Sequence, residues 1–170
     1  FAYDPTTYSP GRWLSITNAL GEVVRSTYDD AGNRTSLTDQ AGRTTLFEYD
    51  ELNRVVRQTF ADGTYVTMAY DAMGRQVSGT DAAGVATGYE YNIQGLLATV
   101  TNAVSGVTRY DYNEMGRMVT QIDSIGRATH FSYNARGLRT GIVRPMGQAE
   151  SYRYDAAGNI TGTVNALGHT

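Results

Sequence analysis

One set of short runs along the chain alternates between polar and apolar residues with the period of a β-strand. Thr108, Tyr110 and Tyr112 fall on one face of such a run, and Asp111 falls on the other. The same alternation recurs over residues 87–91 and 129–133. These runs predict strands with one aromatic face and one polar face.

A second set of runs lies between the first and alternates poorly. The run "RVVRQTF", residues 54–60, is rich in β-branched side chains, which favours a strand. Its polar and apolar residues do not separate into two faces. The sequence therefore predicts a second strand in each segment but leaves its inward face unassigned.

The alternating runs end in a Tyr followed by Asp or Asn, and this pair returns every 21 residues. Gly stands four residues after each Tyr, except at Asn53, and again fourteen residues after it, except at Ser105. An eighth, irregular copy over residues 1–27 opens with Phe1, Tyr3 and Asp4, and its Gly11 arrives late. The repeat positions predicted to carry structure are Tyr28, Asp29, Gly32, Tyr49, Asp50, Tyr70, Asp71, Gly74, Tyr91, Asn92, Gly95, Tyr112, Asn113, Gly116, Tyr133, Asn134, Gly137, Tyr154, Asp155 and Gly158.

Equivalent positions of the successive repeats form a column, and the residues that replace one another in a column show which property that position needs. Asp and Asn share a short side-chain oxygen, so a backbone hydrogen bond explains the column after Tyr better than charge does. Gly and Asn53 share tolerance of a positive φ. Each repeat thus contains two segments that predict a type I turn followed by a left-handed residue, the common three-residue hairpin with its bulge at the turn. Phe60 and Arg144 depart from this pattern at the first position of the second turn.

Two strands and two turns per repeat predict one hairpin per repeat, or about sixteen antiparallel strands in eight repeats. The predicted fold class is all-β, with the hairpins of residues 1–170 in one continuous curled sheet. A propeller blade has the length of two repeats, but odd and even repeats look alike. A parallel β-helix could have coils of similar length, but it would not need two hairpin turns per coil. Both remain as less favoured alternatives.

Composition narrows the function classes. The chain has 19 Gly, 13 Tyr and no Cys, and its 14 basic residues are all Arg, with a net charge of −3. The Arg residues are spread along the chain, so no nucleic-acid partner is expected. No apolar run is long enough to span a membrane, and residues 1–20 show no export leader.

A search for catalytic chemistry finds no candidate residue, and no cofactor or metal is expected. His130 and His169 are the only imidazoles, and a solvated strand residue is the favoured interpretation of His130. Nucleophile elbows, phosphate loops and dinucleotide fingerprints are absent from the sequence. Asn33 and Asn159 lie in formal glycosylation motifs, which ordinary turn chemistry also explains.

The stretches "YDAMGR", "TDAAG" and "YDAAGN" resemble the YD repeats of bacterial Rhs proteins, which Tc-toxin B and C components and teneurins share. The resemblance covers nearly the whole chain. It implies a segment of a hollow β-shell that encloses a C-terminal toxin until delivery, in an exported bacterial effector of the kind used in interbacterial competition and carried by type VI secretion. The implied partners are the rest of the shell and its toxin in the same chain, with secretion-spike or chaperone proteins contacted outside this segment.

Three points qualify this resemblance. The family's self-cleavage motif Asp-Pro-x-Gly is missing, because Asp4-Pro5 is followed by Thr6 and Thr7. The alternative function is an extracellular module that binds carbohydrate or a partner through its aromatic faces. With no recognisable cap at either end, residues 1–170 alone are expected to associate through their edges or to have protease-sensitive ends.

Overall fold

The computed structural model describes residues 8–9 and 12–165, and every regular element in these ranges is a β-strand. The irregular first copy around Phe1, Tyr3, Asp4 and Gly11 lies outside the described residues, as does His169. The described chain divides into two compact units between Ala86 and Thr87. The interpretation of the chain as one array stays a prediction.

The first unit contains a small strand pair and a seven-stranded antiparallel run. β1 and β2 pair with each other, and β3 to β9 pair strictly in sequence order. The strands are β1 Tyr8–Ser9, β2 Arg12–Trp13, β3 Ser15–Thr17, β4 Val23–Tyr28, β5 Arg34–Thr38, β6 Thr44–Tyr49, β7 Val55–Thr59, β8 Tyr65–Tyr70 and β9 Gln76–Thr80.

The second unit contains an eight-stranded antiparallel run, again in sequence order. Its strands are β10 Ala86–Tyr91, β11 Leu97–Thr101, β12 Val107–Tyr112, β13 Met118–Ile122, β14 Ala128–Tyr133, β15 Arg139–Val143, β16 Ala149–Tyr154 and β17 Ile160–Val164. The predicted all-β fold of antiparallel hairpin repeats is confirmed. The two alternatives are wrong, because a β-helix would pair its strands in parallel and a propeller would break each run after four strands.

The alternating strands expose their polar face, as predicted. In β12, Tyr110 and Tyr112 are half-buried, whereas Arg109 and Asp111 are exposed. The strands that alternate poorly in sequence behave differently: every residue of β5, β7, β11 and β13 is half-buried. Both faces of these four strands are half-buried to a similar degree. Their residues therefore do not alternate, and the sequence could not assign an inward face.

The two turns of each repeat lie at opposite ends of the strands. We call the turns that directly follow the repeated Tyr the Tyr turns (residues 29–32, 50–53, 71–74, 92–95, 113–116, 134–137 and 155–158). The others are the distal turns (residues 18–21, 39–42, 60–63, 81–84, 102–105, 123–126 and 144–147). In both rows the first residue and the fourth close the turn through backbone hydrogen bonds, as Asn113 and Gly116 do at 2.9 Å.

The left-handed residue predicted at the end of each turn is confirmed. Gly74 has a φ of 81° and Gly126 a φ of 83°, a region that side chains disfavour. Asn53 and Ser105, the two departures from Gly, also take it, with φ values of 60° and 61°. The distal turn of Phe60 closes as the others do, through the bond from Gly63 N to Phe60 O at 2.9 Å.

Each Tyr hairpin contains a register shift that the sequence pattern did not predict. In β12 and β13, Asp111 faces Thr120 but Tyr112 faces Met118, so one residue of β13 is extra. The hairpins that close through distal turns have no such shift. This β-bulge is additional to the one of the turn. The strands β12 and β13 are six and five residues long, against the seven predicted.

Neither unit has a packed core among its described residues. Only Ile142, at 8% exposure, and Ser26, at 3%, are buried. Each strand contacts chiefly its sequence neighbours, so each unit is a single layer of sheet. Stable domains normally bury a sheet face against a second layer, and the described residues contain no such layer.

Candidate functional site: the two rows of turns

The hydroxyls of six repeated tyrosines bind the backbone of the preceding repeat. Tyr49 donates to the carbonyl oxygen of Arg34 at 2.9 Å, and Tyr112 donates to that of Leu97 at 2.8 Å. The acceptor is always fifteen residues earlier. The other such bonds join Tyr28 to Trp13, Tyr70 to Val55, Tyr133 to Met118 and Tyr154 to Arg139.

The acceptor carbonyl lies at the register shift of the preceding hairpin. Tyr112 faces Met118 across this shift, and Met118 in turn accepts the hydroxyl of Tyr133. Tyr133 then faces Arg139, which accepts the hydroxyl of Tyr154. The repeated tyrosines therefore form a hydrogen-bonded ladder that connects successive bulges. Burial, with a smaller effect of Tyr110, raises the pKa of Tyr112, so its hydroxyl remains a donor.

The sequence contains a pattern that indicates this ladder. The column two residues before the repeated Tyr contains Ser26, Phe47, Met68 and Phe131 as well as Tyr, so it does not require a phenol hydroxyl. The repeated Tyr is never replaced by Phe in seven copies. The repeated Tyr always keeps its hydroxyl, although the column two residues earlier tolerates the loss of one. This difference indicates that the hydroxyl of the repeated Tyr makes a hydrogen bond.

The side-chain oxygen that follows each Tyr holds the turn, as the exchange of Asp for Asn predicts. Asn113 Oδ1 accepts the backbone N–H of Met115 at 3.1 Å and that of Arg117 at 3.0 Å. Asp50 Oδ1 makes the equivalent bonds at 2.9 and 3.0 Å. An amide and a carboxylate serve equally in this role.

Charge has an additional part in some turns. The second oxygen of Asp50 pairs with Arg54 at 2.7 Å, and that of Asp71 pairs with Arg75 at 2.7 Å. Hydrogen bonds lower the pKa of both carboxyls. The largest contribution comes from the Arg54 side chain for Asp50 and from the Arg75 backbone N–H for Asp71. The sequence signal was an Arg four residues after the Asp, which recurs at Arg43 and Arg127 in distal turns.

Neighbouring Tyr turns contact each other directly. Asn33 Nδ2 donates to Asn53 Oδ1 of the next Tyr turn at 2.7 Å. Arg54 donates to the backbone oxygen of Asp71 at 3.2 Å and lies 4.7 Å from the ring centre of Tyr70. In the second unit, Arg136 donates to the backbone oxygens of Asp155 and Ala156 at 2.7 and 2.6 Å.

The residue that follows a Tyr turn covers the glycine of the next one at Gly74, Gly116, Gly137 and Gly158. A methyl group added to Gly116 would lie 3.5 Å from Leu96, and one added to Gly158 would lie 3.7 Å from Leu138. The distal glycines Gly21, Gly42, Gly63, Gly84, Gly126 and Gly147 have no atom within 4 Å of that position. The Tyr turns thus form a closed row, and the distal turns form an open one.

The remaining candidate residues have modest surroundings. His130 is exposed, and its Nδ1 lies 3.3 Å from Thr120 Oγ1. Asn33 and Asn159 use their amides on Asp29 and Asp155, within the turn. Over the described ranges, no cluster of side chains could hold a metal ion. No helix capable of crossing a membrane occurs there either.

The repeat, the bulged Tyr hairpin and the sequential antiparallel order match a known family. Residues 9–139 match the model of the teneurin YD-shell. The chain belongs to the YD-shell family. Residues 133–170 match the RHS repeat, which overlaps the end of the first match. No curated protein sequence matches the chain.

Several solved structures share the fold. The crystal structure of TcdB2-TccC3-TEV has a TM-score of 0.74 and 20% identity over 92% of this chain. That of TcdB2-TccC3-Cdc42 has a TM-score of 0.70 and 16% identity over 83%. The Photorhabdus luminescens Tc holotoxin pore has a TM-score of 0.68 and 17% identity over 84%. This YD-shell chain covers 10%, 9% and 9% of those three chains, respectively.

Proposed function

We propose that this chain is a wall segment of a closed shell that encloses a toxic polypeptide of the same protein until delivery. The observation that carries the proposal is the lack of a packed core in a sheet of this extent. Only two described residues are buried, although the strands are paired throughout each unit. A single layer of sheet is suited to separating two compartments, whereas a globular binding domain would have a core of its own.

The row of Tyr turns supports a structural role. Tyrosine hydroxyls, turn amides and guanidinium groups join neighbouring repeats, and no catalytic constellation accompanies them within the described residues. Such contacts make a sheet resist separation of its hairpins. The mechanism is therefore steric, because an intact wall keeps the enclosed polypeptide from its target and from proteases. We infer no enzymatic activity for the segment.

The similar structures indicate where such a wall operates. They comprise the Tc toxin components TcdB2 and TccC3 and a holotoxin pore. By likeness to them, we propose that the natural full-length protein is an exported toxin carrier. Its partners would be the remainder of the shell and the enclosed toxin, with secretion-spike or chaperone proteins contacted by other regions.

The absence of cysteine allows a direct test of the wall. Thr129 and Ser132 lie on opposite faces of β14, and each can be replaced by cysteine in the natural full-length protein. If the sheet is a wall, a membrane-impermeant maleimide should label one of the two variants and leave the other protected. Opening the shell with denaturant should make both variants react.

The chain of residues 1–170 alone is the matched control, because the remainder of the proposed shell is missing from it. Both cysteine variants should react in it at similar rates. Equal and rapid labelling of both faces in the intact full-length protein would contradict the proposal. It would favour the alternative of an extracellular recognition module with both faces in solvent.

A further inference from the structure

Three of the five methionines of the chain are exposed, and all three lie in turns. Met73 is 80% exposed, Met115 is 70% exposed and Met146 is 85% exposed. Met68 and Met118 lie within strands and are half-buried. A thioether in contact with solvent is readily oxidised to the sulfoxide. The exposed methionines are therefore candidate sites of modification, and their surroundings distinguish one of them.

Met115 has an arginine at its sulfur. Arg117 Nη1 lies 3.0 Å from Met115 Sδ, where the guanidinium donates to the thioether. Both residues belong to the same Tyr turn, because Met115 is its third residue and Arg117 follows it directly. A thioether is a weak acceptor, so this contact is weaker than the ion pairs that other turn arginines make.

The first residue of the turn explains this contact. Met73 and Arg75 occupy the equivalent positions of an earlier Tyr turn, which begins with Asp71. There the guanidinium pairs with the Asp71 carboxylate at 2.7 Å. Asn113 offers an amide in place of that carboxylate, and the guanidinium of Arg117 lies at the sulfur instead. An exchange of Asp for Asn that leaves the backbone of the turn unchanged thus decides what the arginine binds.

Arg117 also takes part in the contact between repeats. Its guanidinium occupies the space that a Cβ atom on Gly137 would fill. Gly137 is the left-handed residue of the next Tyr turn, with a φ of 84°. Arg117 therefore connects the sulfur of Met115 in its own turn to the backbone of the next turn. A change in how firmly the sulfur holds this side chain changes the contact between the two repeats.

We propose that Met115 is an oxidation site whose sulfoxide is bound by Arg117. The oxidant that the step requires is a peroxide. The sulfur lone pair attacks one peroxide oxygen, the O–O bond breaks and an S–O bond forms. The proton of the transferred oxygen passes to the departing oxygen, which leaves as water when the oxidant is hydrogen peroxide. The sulfur loses two electrons, and the peroxide gains them.

Oxidation replaces a weak acceptor by a strong one. A sulfoxide oxygen is polar and accepts from a guanidinium in a charge-assisted hydrogen bond. Because Arg117 already lies at the sulfur, the new oxygen forms within its reach. The oxidised side chain therefore holds Arg117 more firmly over Gly137 and tightens this link in the row of Tyr turns. The inference does not depend on the shell proposal, since it uses only contacts between two neighbouring repeats.

Hydrogen–deuterium exchange on the natural full-length protein, before and after mild treatment with hydrogen peroxide, tests the inference locally. Peptide mass spectrometry first shows which methionines have gained an oxygen. Once Met115 is oxidised, the backbone amides of residues 113–117 and 134–138 should exchange roughly three- to tenfold more slowly. The amides of residues 71–75 should not slow when Met73 is oxidised, because Arg75 keeps its ion pair with Asp71.

Two variants separate the bond to Arg117 from a general effect of oxidation. Met115→Leu keeps an apolar side chain of similar size that peroxide does not oxidise, so its exchange rates should not respond. Asn113→Asp keeps the acceptor of the turn and supplies Arg117 with a carboxylate, as Asp71 does for its own arginine. Oxidation of Met115 in this second variant should leave the exchange of residues 134–138 unchanged.

Slower exchange in the parent that is lost in both variants supports the inference. Exchange that is unchanged or faster once Met115 is oxidised overturns it, and so does slowing that persists in either variant. A Met115 that stays unmodified under conditions that oxidise Met73 also overturns it.

Discussion

The Tyr turns and the distal turns have the same backbone conformation but different surroundings. Gly74 in a Tyr turn and Gly84 in a distal turn have φ values of 81° and 78°. Arg54 reaches the first of them from the preceding repeat, whereas the second faces open space. Turn geometry is therefore set locally, and contact between repeats is what distinguishes the two rows.

The difference also appears in which residues each row accepts. All seven Tyr turns begin with Asp or Asn, and only Asn53 replaces a glycine. The distal row accepts Phe60 and Arg144 at its first position and Ser105 at its fourth. A row that must fit its neighbours tolerates fewer side chains, while an open row is free to acquire other roles.

The largest expected effect comes from a β-branched residue at positive φ. Gly74→Val and Gly84→Val should each lower the free energy of unfolding by roughly 1–2 kcal/mol through backbone strain. Gly74→Val should cost more, because the new side chain also disturbs the contact of Arg54 with the turn. Denaturant unfolding would measure both. An equal or larger loss for Gly84→Val would mean that the rows are equivalent.

Removal of one hydroxyl tests the tyrosine ladder. Tyr112→Phe should reduce the free energy of unfolding by about 1 kcal/mol, because the bond to Leu97 O at 2.8 Å is lost. Tyr110→Phe is the matched control, since it lies two residues away on the same face in a column that contains Phe47 and Phe131. The ladder would have no stabilising role if both variants unfolded alike.

Two substitutions of Asp71 distinguish the roles of its two side-chain oxygens. Asp71→Ala should lower the melting temperature more than Asp71→Asn does, because the amide keeps the backbone bonds and gives up only the ion pair with Arg75. Calorimetry on the two variants would show the order. Equal losses would mean that the carboxylate charge, not the acceptor, holds this turn.

The same carboxyl predicts a pH dependence with a definite sign. Its pKa is lowered below 3.8 in the folded chain, so the unfolded chain binds protons first. The stabilisation is fully present above 3.8 and is lost as the pH falls through the folded pKa. Melting curves at decreasing pH should therefore show a smaller acid loss for Asp71→Asn than for the parent.

Replacing the two non-glycine residues at positive φ by glycine should have the smallest effects on the free energy of unfolding, with opposite signs in the two rows. Asn53→Gly relieves the positive φ but removes the bond from Asn33 at 2.7 Å, so a loss of about 0.5 kcal/mol or less is expected. Ser105→Gly relieves a φ of 61° in the open row, and the stability should be unchanged or slightly higher. Destabilisation by Ser105→Gly that exceeds the loss from Asn53→Gly would contradict the comparison.

The sequence by itself determined the repeat, the strands and the turns, because each of these depends on residues close together in the chain. The Asx oxygens and the left-handed glycines act within five residues, so their columns were sufficient to predict them. The exposed face of β12 follows from alternation over six residues.

Only the tertiary structure decided which contacts join one repeat to another. The acceptors of six Tyr hydroxyls are fifteen residues away, and they lie at a second β-bulge, beyond the one of the turn, that the sequence did not reveal. The closure of one row and the spaces between the turns of the other depend on side chains from adjacent repeats, such as Arg54 at Asp71 and Arg43 beside Phe60. Strand pairing brings these residues together, and a pattern read along a single strand contains no information on which neighbour will lie across from it.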